Sequence, residues 1–203
     1  MFILGLGHYS RTGKDTLANY TARILHDRGF RVLKRPLAWK LKQITYELYA
    51  WAGMKSPEHY ETLEGAKDRD IVLPDLGMTP VEVWVAFGTK AVRDNVYDRT
   101  WLDYLLNTDH KVDGNSTDVL IIPDVRFKNE ADSILYAGGT LIKVIRPGYE
   151  PRDTVADKAL LNYEHWDRVV GHSGRLEELL FWANKLADFY ESGFPLPYTY
   201  HYK

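Results

Sequence analysis

No cysteine occurs in this chain of 203 residues, which excludes disulfide cross-links, thiol nucleophiles and cysteine-based zinc sites and fits a cytoplasmic setting. Nor is there a surplus of charge: 26 Lys and Arg stand against 28 Asp and Glu, a formal net charge of −2. A protein that coats nucleic acid or a membrane surface carries an excess of one sign, so any anionic substrate here has to be met by local clusters of Arg and Lys. Long apolar runs are missing too. No stretch approaches the roughly 18 residues of a membrane span, and the apolar opening Met1–Leu6 has no basic flank, so it reads as a first strand rather than a signal peptide. Internal repeats and low-complexity segments are also absent.

Hydrophobic residues make up 45% of the chain, enough for one domain with a sizeable core and an insertion, and not for a second full domain. Their spacing alternates strands with helices. Residues 14–28 put Leu17, Tyr20, Ile24 and Leu25 on one helical face, with Gly29 placed to end the helix. Phe30–Leu33 reads as a second strand, and helices are expected over 37–52 and 56–66, before a charged and then turn-like stretch from Lys67 to Gly77. Thr79-Pro80-Val81-Glu82 supplies an N-cap, a proline at the first helical position and a Glu at the third, which starts a helix running to about Asn95. Another helix fits Asp98–Asn107, and the polar stretch Thr108–Thr117 is expected as a loop. Val119–Ile122 is a fully apolar strand, 129–137 a helix stopped by Gly138-Gly139, and Thr140–Ile145 and Arg168–Val170 are strands. Gly174 opens a closing helix with Leu176, Leu179, Leu180, Ala183 and Leu186 along one face. Continuous apolar strands joined by helices indicate a parallel sheet covered on both sides. The fold class is α/β, a three-layer α/β/α sandwich with a mostly parallel five-stranded sheet. The tail Ser192–Lys203, with two prolines and three tyrosines, is either frayed or docked through its rings, and the number of rings favours docking.

The stretch Gly7-His8-Tyr9-Ser10-Arg11-Thr12-Gly13-Lys14-Asp15-Thr16 stands between the first strand and the first helix. A triphosphate needs inward-pointing backbone N–H groups, a lysine on its β- and γ-phosphates and a positive helix N-terminus, and a phosphate-binding loop at 7–16 supplies all three. The pattern Gly-x-x-x-x-Gly-Lys-Ser/Thr is met imperfectly. Counting back from Gly13-Lys14 puts His8 where the first glycine belongs, so either the loop is one residue longer or His8 takes a backbone conformation that glycine enters more easily. Asp15 replaces the usual magnesium-binding hydroxyl and Thr16 follows it; the metal is reached through the carboxylate, through Thr16 or through water. The bland alternative is a strand-to-helix turn with no ligand.

The second site is Val119-Leu120-Ile121-Ile122-Pro123-Asp124-Val125-Arg126. An apolar strand ending in an aspartate resembles a Walker B element, which brings a carboxylate beside the loop to hold magnesium or its waters. Arg126 is within reach of a transferring phosphoryl group, and Pro123, which removes a ladder donor, suggests that strand pairing ends there. A turn aspartate and a surface ion pair are the structural alternatives for these two.

Gly13-Lys14-Asp15-Thr16, then Asp124-Val125-Arg126-Phe127-x-Asn129-Glu130 with Gly138-Gly139, then Val144-Ile145-Arg146-Pro147-Gly148, together resemble the deoxynucleoside monophosphate kinases of tailed bacteriophages. Thr79-Pro80 with Phe87-Gly88-Thr89 and Arg93 resembles that family's central helix, and Glu164-His165 and Ser173-Gly174-x-Leu176-Glu177 its C-terminal motifs. His8 and Pro123 depart from the family pattern. The resemblance implies an adenylate-kinase-like P-loop fold that transfers the γ-phosphoryl group of ATP to a deoxynucleoside monophosphate, with Mg2+ as cofactor. It implies that Lys14 holds the β- and γ-phosphates, Arg11 the transferring group, and Asp15, Thr16 and Asp124 the metal, while Arg126 neutralises charge between donor and acceptor. Gly7, Thr12, Gly13 and Arg146 would join the ATP site, and Ser173 and Gly174 would offer backbone contacts to adenine.

For the acceptor, the resemblance points to Arg35, Lys67, Arg69 and Arg93, with Trp84 or Tyr60 stacking on the base; in each case a solvated charge or a core ring is the plainer reading. A helical insertion at about 36–108 would bind the acceptor, and the excursion at about 146–168, carrying Arg146, Arg152, Lys158 and Arg168, would form a lid. His165 is read as structural. The expected partners are small molecules, ATP and a dNMP, with no nucleic acid and no membrane; homodimerisation is left open. Two other classes compete. A different P-loop small-molecule kinase, phosphomevalonate-kinase-like, also fits a Gly-Lys-Asp loop, and a non-catalytic GTP-binding module would want Asn-Lys-x-Asp, whereas Asn184-Lys185 is followed by Leu186-Ala187.

Overall fold

The computed structural model describes residues 1–62, 64–112 and 114–192. The chain divides into two compact units, Met1–Pro36 with Thr108–Lys203, and Leu37–Asn107. The first is built on β1 (Phe2–Gly7), α1 (Lys14–Asp27), β2 (Val32–Lys34), a short hairpin of β3 (Lys111–Val112) and β4 (Asn115–Ser116), β5 (Val119–Val125), α6 (Lys128–Tyr136), β6 (Thr140–Ile145), α7 (Val155–Lys158), β7 (Arg168–Gly171) and α8 (Leu176–Ser192), the helices numbered between α1 and α6 belonging to the second unit. Its five-stranded sheet is parallel throughout, in the order β2-β5-β1-β6-β7. β1 is central, and the strand that carries Asp124 lies directly beside it.

Alternation along β1 sorts the two layers. Leu4 and Leu6 join Leu17, Ala18 and Leu25 of α1 and Leu179, Trp182, Ala183, Leu186 and Ala187 of α8 in the main core. The opposite face of β1 is nearly bare: a Cβ added to Gly5 would stand 3.0 Å from Ile134 of α6, so the small residue lets that helix lie close. At the far end of the core Phe2, Phe30 and Tyr190 stack edge-on or tilted, and Arg28 at the end of α1 reaches Asp188 and Glu191 of α8 at 2.9 and 2.8 Å.

Several expected boundaries are corrected. The 108–117 stretch is not wholly a loop, because it folds back as β3 and β4 around Gly114. β5 does not stop at Ile122. It continues through Pro123 to Val125, the register with β1 slipping between Gly5 and Gly7, so the missing donor of Pro123 falls at a bulge. On α8 the buried stripe is Leu179, Trp182, Ala183, Leu186 and Ala187, and Leu176 and Leu180 are 57% and 44% exposed; the Trp182 indole, donating to the Gly171 carbonyl, sets the helix rotation. The expected docking of the tail lies, beyond Ser192, outside the described residues.

The second unit contains α2 (Trp39–Tyr49), α3 (Pro57–Glu61), a 3-10 turn at Gly65–Asp70, α4 (Pro80–Trp84) and α5 (Thr100–Asn107) around Met54, Tyr60, Leu73 and Val83. The helix expected over 56–66 is broken after Glu61 into the 3-10 turn. The capping box at Thr79 and Glu82 forms as its spacing dictates, but the helix widens after Trp84 into a π-helix, Val85–Arg93. Gly88 inside that turn permits its crowding on Leu41 and receives the Trp101 indole on its carbonyl.

Candidate active site

The loop at 8–13 leaves β1 and enters α1 through two non-glycine residues in the left-handed region, His8 at φ 96° and Arg11 at φ 62°. His8 thus takes the conformation that its place in the motif demands of a glycine. Its imidazole is 6% exposed, lies edge-on to Trp166 with ring centroids 6.2 Å apart, and has a pKa lowered to about 4 by burial and then by Lys143, Lys14 and Arg126. The entry of the loop is narrow: a Cβ on Gly7 would come within 2.6 Å of the Trp166 ring.

Gly13 caps α1 with φ 84°, and a Cβ there would stand 2.7 Å from the His172 Nε2. That nitrogen lies 2.7 Å from the Thr12 carbonyl, while the His172 Nδ1 accepts the Gly174 amide at 3.1 Å. The two contacts suit the tautomer in which Nε2 donates and Nδ1 accepts. The histidine at the end of β7 therefore buttresses the loop from below.

Lys14 is 4% exposed, and its ammonium turns back into the loop, donating to the Tyr9 carbonyl at 2.5 Å and the Thr12 hydroxyl at 3.2 Å. Burial, and next the Arg126 guanidinium, lowers its pKa to about 7 against the opposing pull of Asp15, Asp157 and Asp124. Around it lies a cavity of about 390 Å³ lined by Arg11, Thr12, Gly13, Lys14, Asp15, Thr16, Arg126, Arg146 and Tyr149. Four cations and a helix N-terminus on one cavity make a site for a polyphosphate.

The structure therefore gathers most of the expected nucleotide residues. Asp124 is outside the cavity wall, yet its carboxylate acts on Lys14. Ser173 and Gly174 do not line it, and both amides are engaged, that of Ser173 with Glu178 and that of Gly174 with His172. Three residues were missed. Tyr149, after the Pro147-Gly148 turn, places its ring 4.2 Å from the Arg146 guanidinium and 5.9 Å from that of Arg11, and its carbonyl accepts the Tyr9 hydroxyl at 2.6 Å. Asp157 is held against the loop and Arg126. His172 had only the neighbouring Ser173-Gly174 to mark it.

The residues expected at the acceptor fare differently. Arg35 follows β2, its amide on the Ile121 carbonyl and its guanidinium 3.3 Å from Asp109. Lys67 is exposed on the 3-10 turn of the second unit, where Arg69 donates to the Tyr60 carbonyl. Arg93 ends the π-helix. Tyr60 is 1% exposed and packs edge-on against Trp84 with centroids 5.0 Å apart, so it has no free face for a base; Trp84 is half-buried, and its indole donates to Thr45. His165 stacks edge-on to Tyr163.

Known proteins resemble this chain, one of them over most of its length. A family model described as deoxynucleotide monophosphate kinase matches residues 82–181. A protein of Acanthamoeba polyphaga mimivirus, named provisionally for the same kinase, is 30% identical over 195 residues, covering 88% of this chain and 92% of its own. The deoxynucleotide monophosphate kinase of Enterobacteria phage T4 is 37% identical over 95 residues, 46% of this chain and 39% of the phage protein, and that of Escherichia phage RB69 is 33% identical over the same length. On the mimivirus match, which runs along nearly the whole of both chains, this protein belongs to the deoxynucleotide monophosphate kinase family.

Proposed function

We propose that the protein transfers the γ-phosphoryl group of ATP to the phosphate of a deoxynucleoside monophosphate, giving ADP and the deoxynucleoside diphosphate. The observation that carries this reading is the cavity at the start of α1, with Lys14, Arg11, Arg126 and Arg146 on its wall. In the reaction the bond from the γ-phosphorus to its bridging oxygen breaks as an oxygen of the acceptor phosphate bonds to that phosphorus. No covalent intermediate on the protein is needed, so the task is alignment and neutralisation of charge. Lys14 holds the β- and γ-phosphates, Arg11 and Arg126 meet the group in flight, and Tyr149 holds the Arg146 guanidinium against its ring.

Magnesium binds through one or two carboxylates with substrate phosphates and retained water. Asp15 and Thr16 at the cavity, with Asp124 near enough to act on Lys14, suit such sparse ligation. No group of three or more His, Cys, Asp or Glu that would cage a metal occurs among the described residues. The ion would spread negative charge away from the β- and γ-oxygens; these three residues would hold it. Lys67, Arg69 and Arg93 are assigned to the acceptor phosphate, 146–168 to a lid and 37–107 to the acceptor-binding insertion. No helix among the described residues is long and apolar enough to cross a membrane, and action in the cytoplasm, that of a bacterial host for a phage-encoded chain, goes with this reading.

The test is ADP release measured across deoxy- and ribonucleoside monophosphates with ATP and magnesium. Turnover with at least one deoxynucleotide, faster than with its ribonucleotide, is expected. Turnover only with mevalonate 5-phosphate or another phosphorylated metabolite would replace the acceptor assignment.

A further inference from the structure

Asp157 is a buried carboxylate that its own helix does not use. α7 spans four residues, and its cap is the Thr154 hydroxyl, which accepts the Asp157 amide at 3.2 Å. In a capping box the third-position carboxylate would return to the cap amide, but the Thr154 amide goes to the Arg152 carbonyl. The side chain instead faces the phosphate loop. Oδ1 accepts the Ser10 amide at 3.0 Å, the Ser10 hydroxyl at 2.8 Å and the Arg126 Nη1 at 2.5 Å, and Oδ2 accepts the Arg152 amide at 3.2 Å.

Four donors from three segments thus converge on a carboxylate that is 3% exposed. Burial alone would raise its pKa; the Ser10 hydroxyl, the Arg152 amide, the Arg126 charge and the Ser10 amide hold it below the usual carboxylate value. A pair this deep is a poor device for stability, since desolvating two charges offsets most of their attraction. Its value lies in geometry. Arg126 is held at both ends, its amide 2.8 Å from the Glu130 carboxylate and its Nη1 on Asp157. A guanidinium has five N–H donors, and fixing one nitrogen orients the planar fork for the rest.

We infer that Asp157 is a positioning residue for phosphoryl transfer: through Ser10 and Arg126 it locks the phosphate loop and the charge-neutralising arginine into one frame before the nucleotides arrive. The inference rests on the kinase reading above. Misplacing such a group by about 1 Å costs on the order of 10²-fold in rate.

The experiment is a double-mutant cycle of Asp157→Asn with Arg126→Ala, read by steady-state kinetics, joined to the rate at which phenylglyoxal modifies Arg126, followed by mass spectrometry. Asp157→Asn is expected to lower kcat by about 10- to 100-fold with KM for ATP and for the monophosphate changed about threefold or less. It is expected to cause no further loss in the Arg126→Ala background, and to speed labelling of Arg126. Asp157→Glu, one methylene longer, is not expected to restore kcat. Additive losses, or an unchanged kcat, would overturn the inference. If Asp157→Asn does not fold, Ser10→Ala decides, since it removes one strut of the frame: a smaller loss of kcat that vanishes in the Arg126→Ala background supports the frame, and unchanged turnover refutes it. Labelling needs no turnover, so a parent protein that phosphorylates no monophosphate would fail the kinase reading while Arg126 reactivity still decides the frame.

Discussion

At Lys14 the fold keeps an ammonium almost fully out of water beside a second cation, and its pKa sits near 7 as a result. Such a group gains most from negative charge brought against it, and more still from charge that shifts during transfer. Lys14→Ala is expected to lower kcat by about 10²–10⁴ and leave the circular dichroism spectrum unchanged; near-parental turnover would take the lysine out of the reaction. His8 gives a separate prediction. Its pKa falls from 6.5 to about 4 on folding, so the unfolded chain takes up a proton that the folded one refuses. The neutral form is thus fully compatible with folding above pH 6.5, and stability is lost as pH drops toward 4, with a slope approaching about 1.4 kcal/mol per pH unit. Asn tolerates a left-handed backbone, and His8→Asn is expected to remove that slope; urea unfolding at about pH 4.5 and pH 7 measures it. Equal slopes in the two chains would place the acid sensitivity elsewhere.

Among elements, those whose residues state both pattern and punctuation were legible. β6 begins and ends as its apolar run does, and α4 starts at its capping box with Pro80 inside the first turn. Thr79→Ala is expected to cost the second unit about 1 kcal/mol, since its hydroxyl accepts the Glu82 amide and its own amide is taken by the Glu82 carboxylate; a fall in the urea midpoint at constant slope would show it, and an unchanged midpoint would not fit. The π-turn after Trp84 was not legible, because the widening goes with close packing against residues distant in the chain, such as Leu41 against Gly88. The bulge at Pro123 was half legible: a missing donor marks a break in the ladder, but whether pairing resumes depends on the partner strand, here Gly7 opposite Val125.

For the molecule as a whole, the phosphate loop was readable because its residues are contiguous, from Gly7 to Thr16, and Asp124 because it follows an apolar run, whose strand the sheet sets beside β1. Tyr149, Asp157 and His172 were not, since each lies at least 130 positions from the loop it touches and has an ordinary local explanation. The acceptor residues rest on resemblance, and their test is a split in KM. Neutralising Lys67 or Arg93 is expected to raise KM for the monophosphate several-fold while KM for ATP stays within about twofold, given that uniform binding contributes to KM alone; parallel rises in both would assign these cations to general charge. The loop, finally, is closed on its own lysine, with the Lys14 Nζ 2.5 Å from the Tyr9 carbonyl. A phosphate that reached the ammonium would have to exchange with that carbonyl, so what Lys14 gains from it is the difference between two partners rather than the whole of one hydrogen bond.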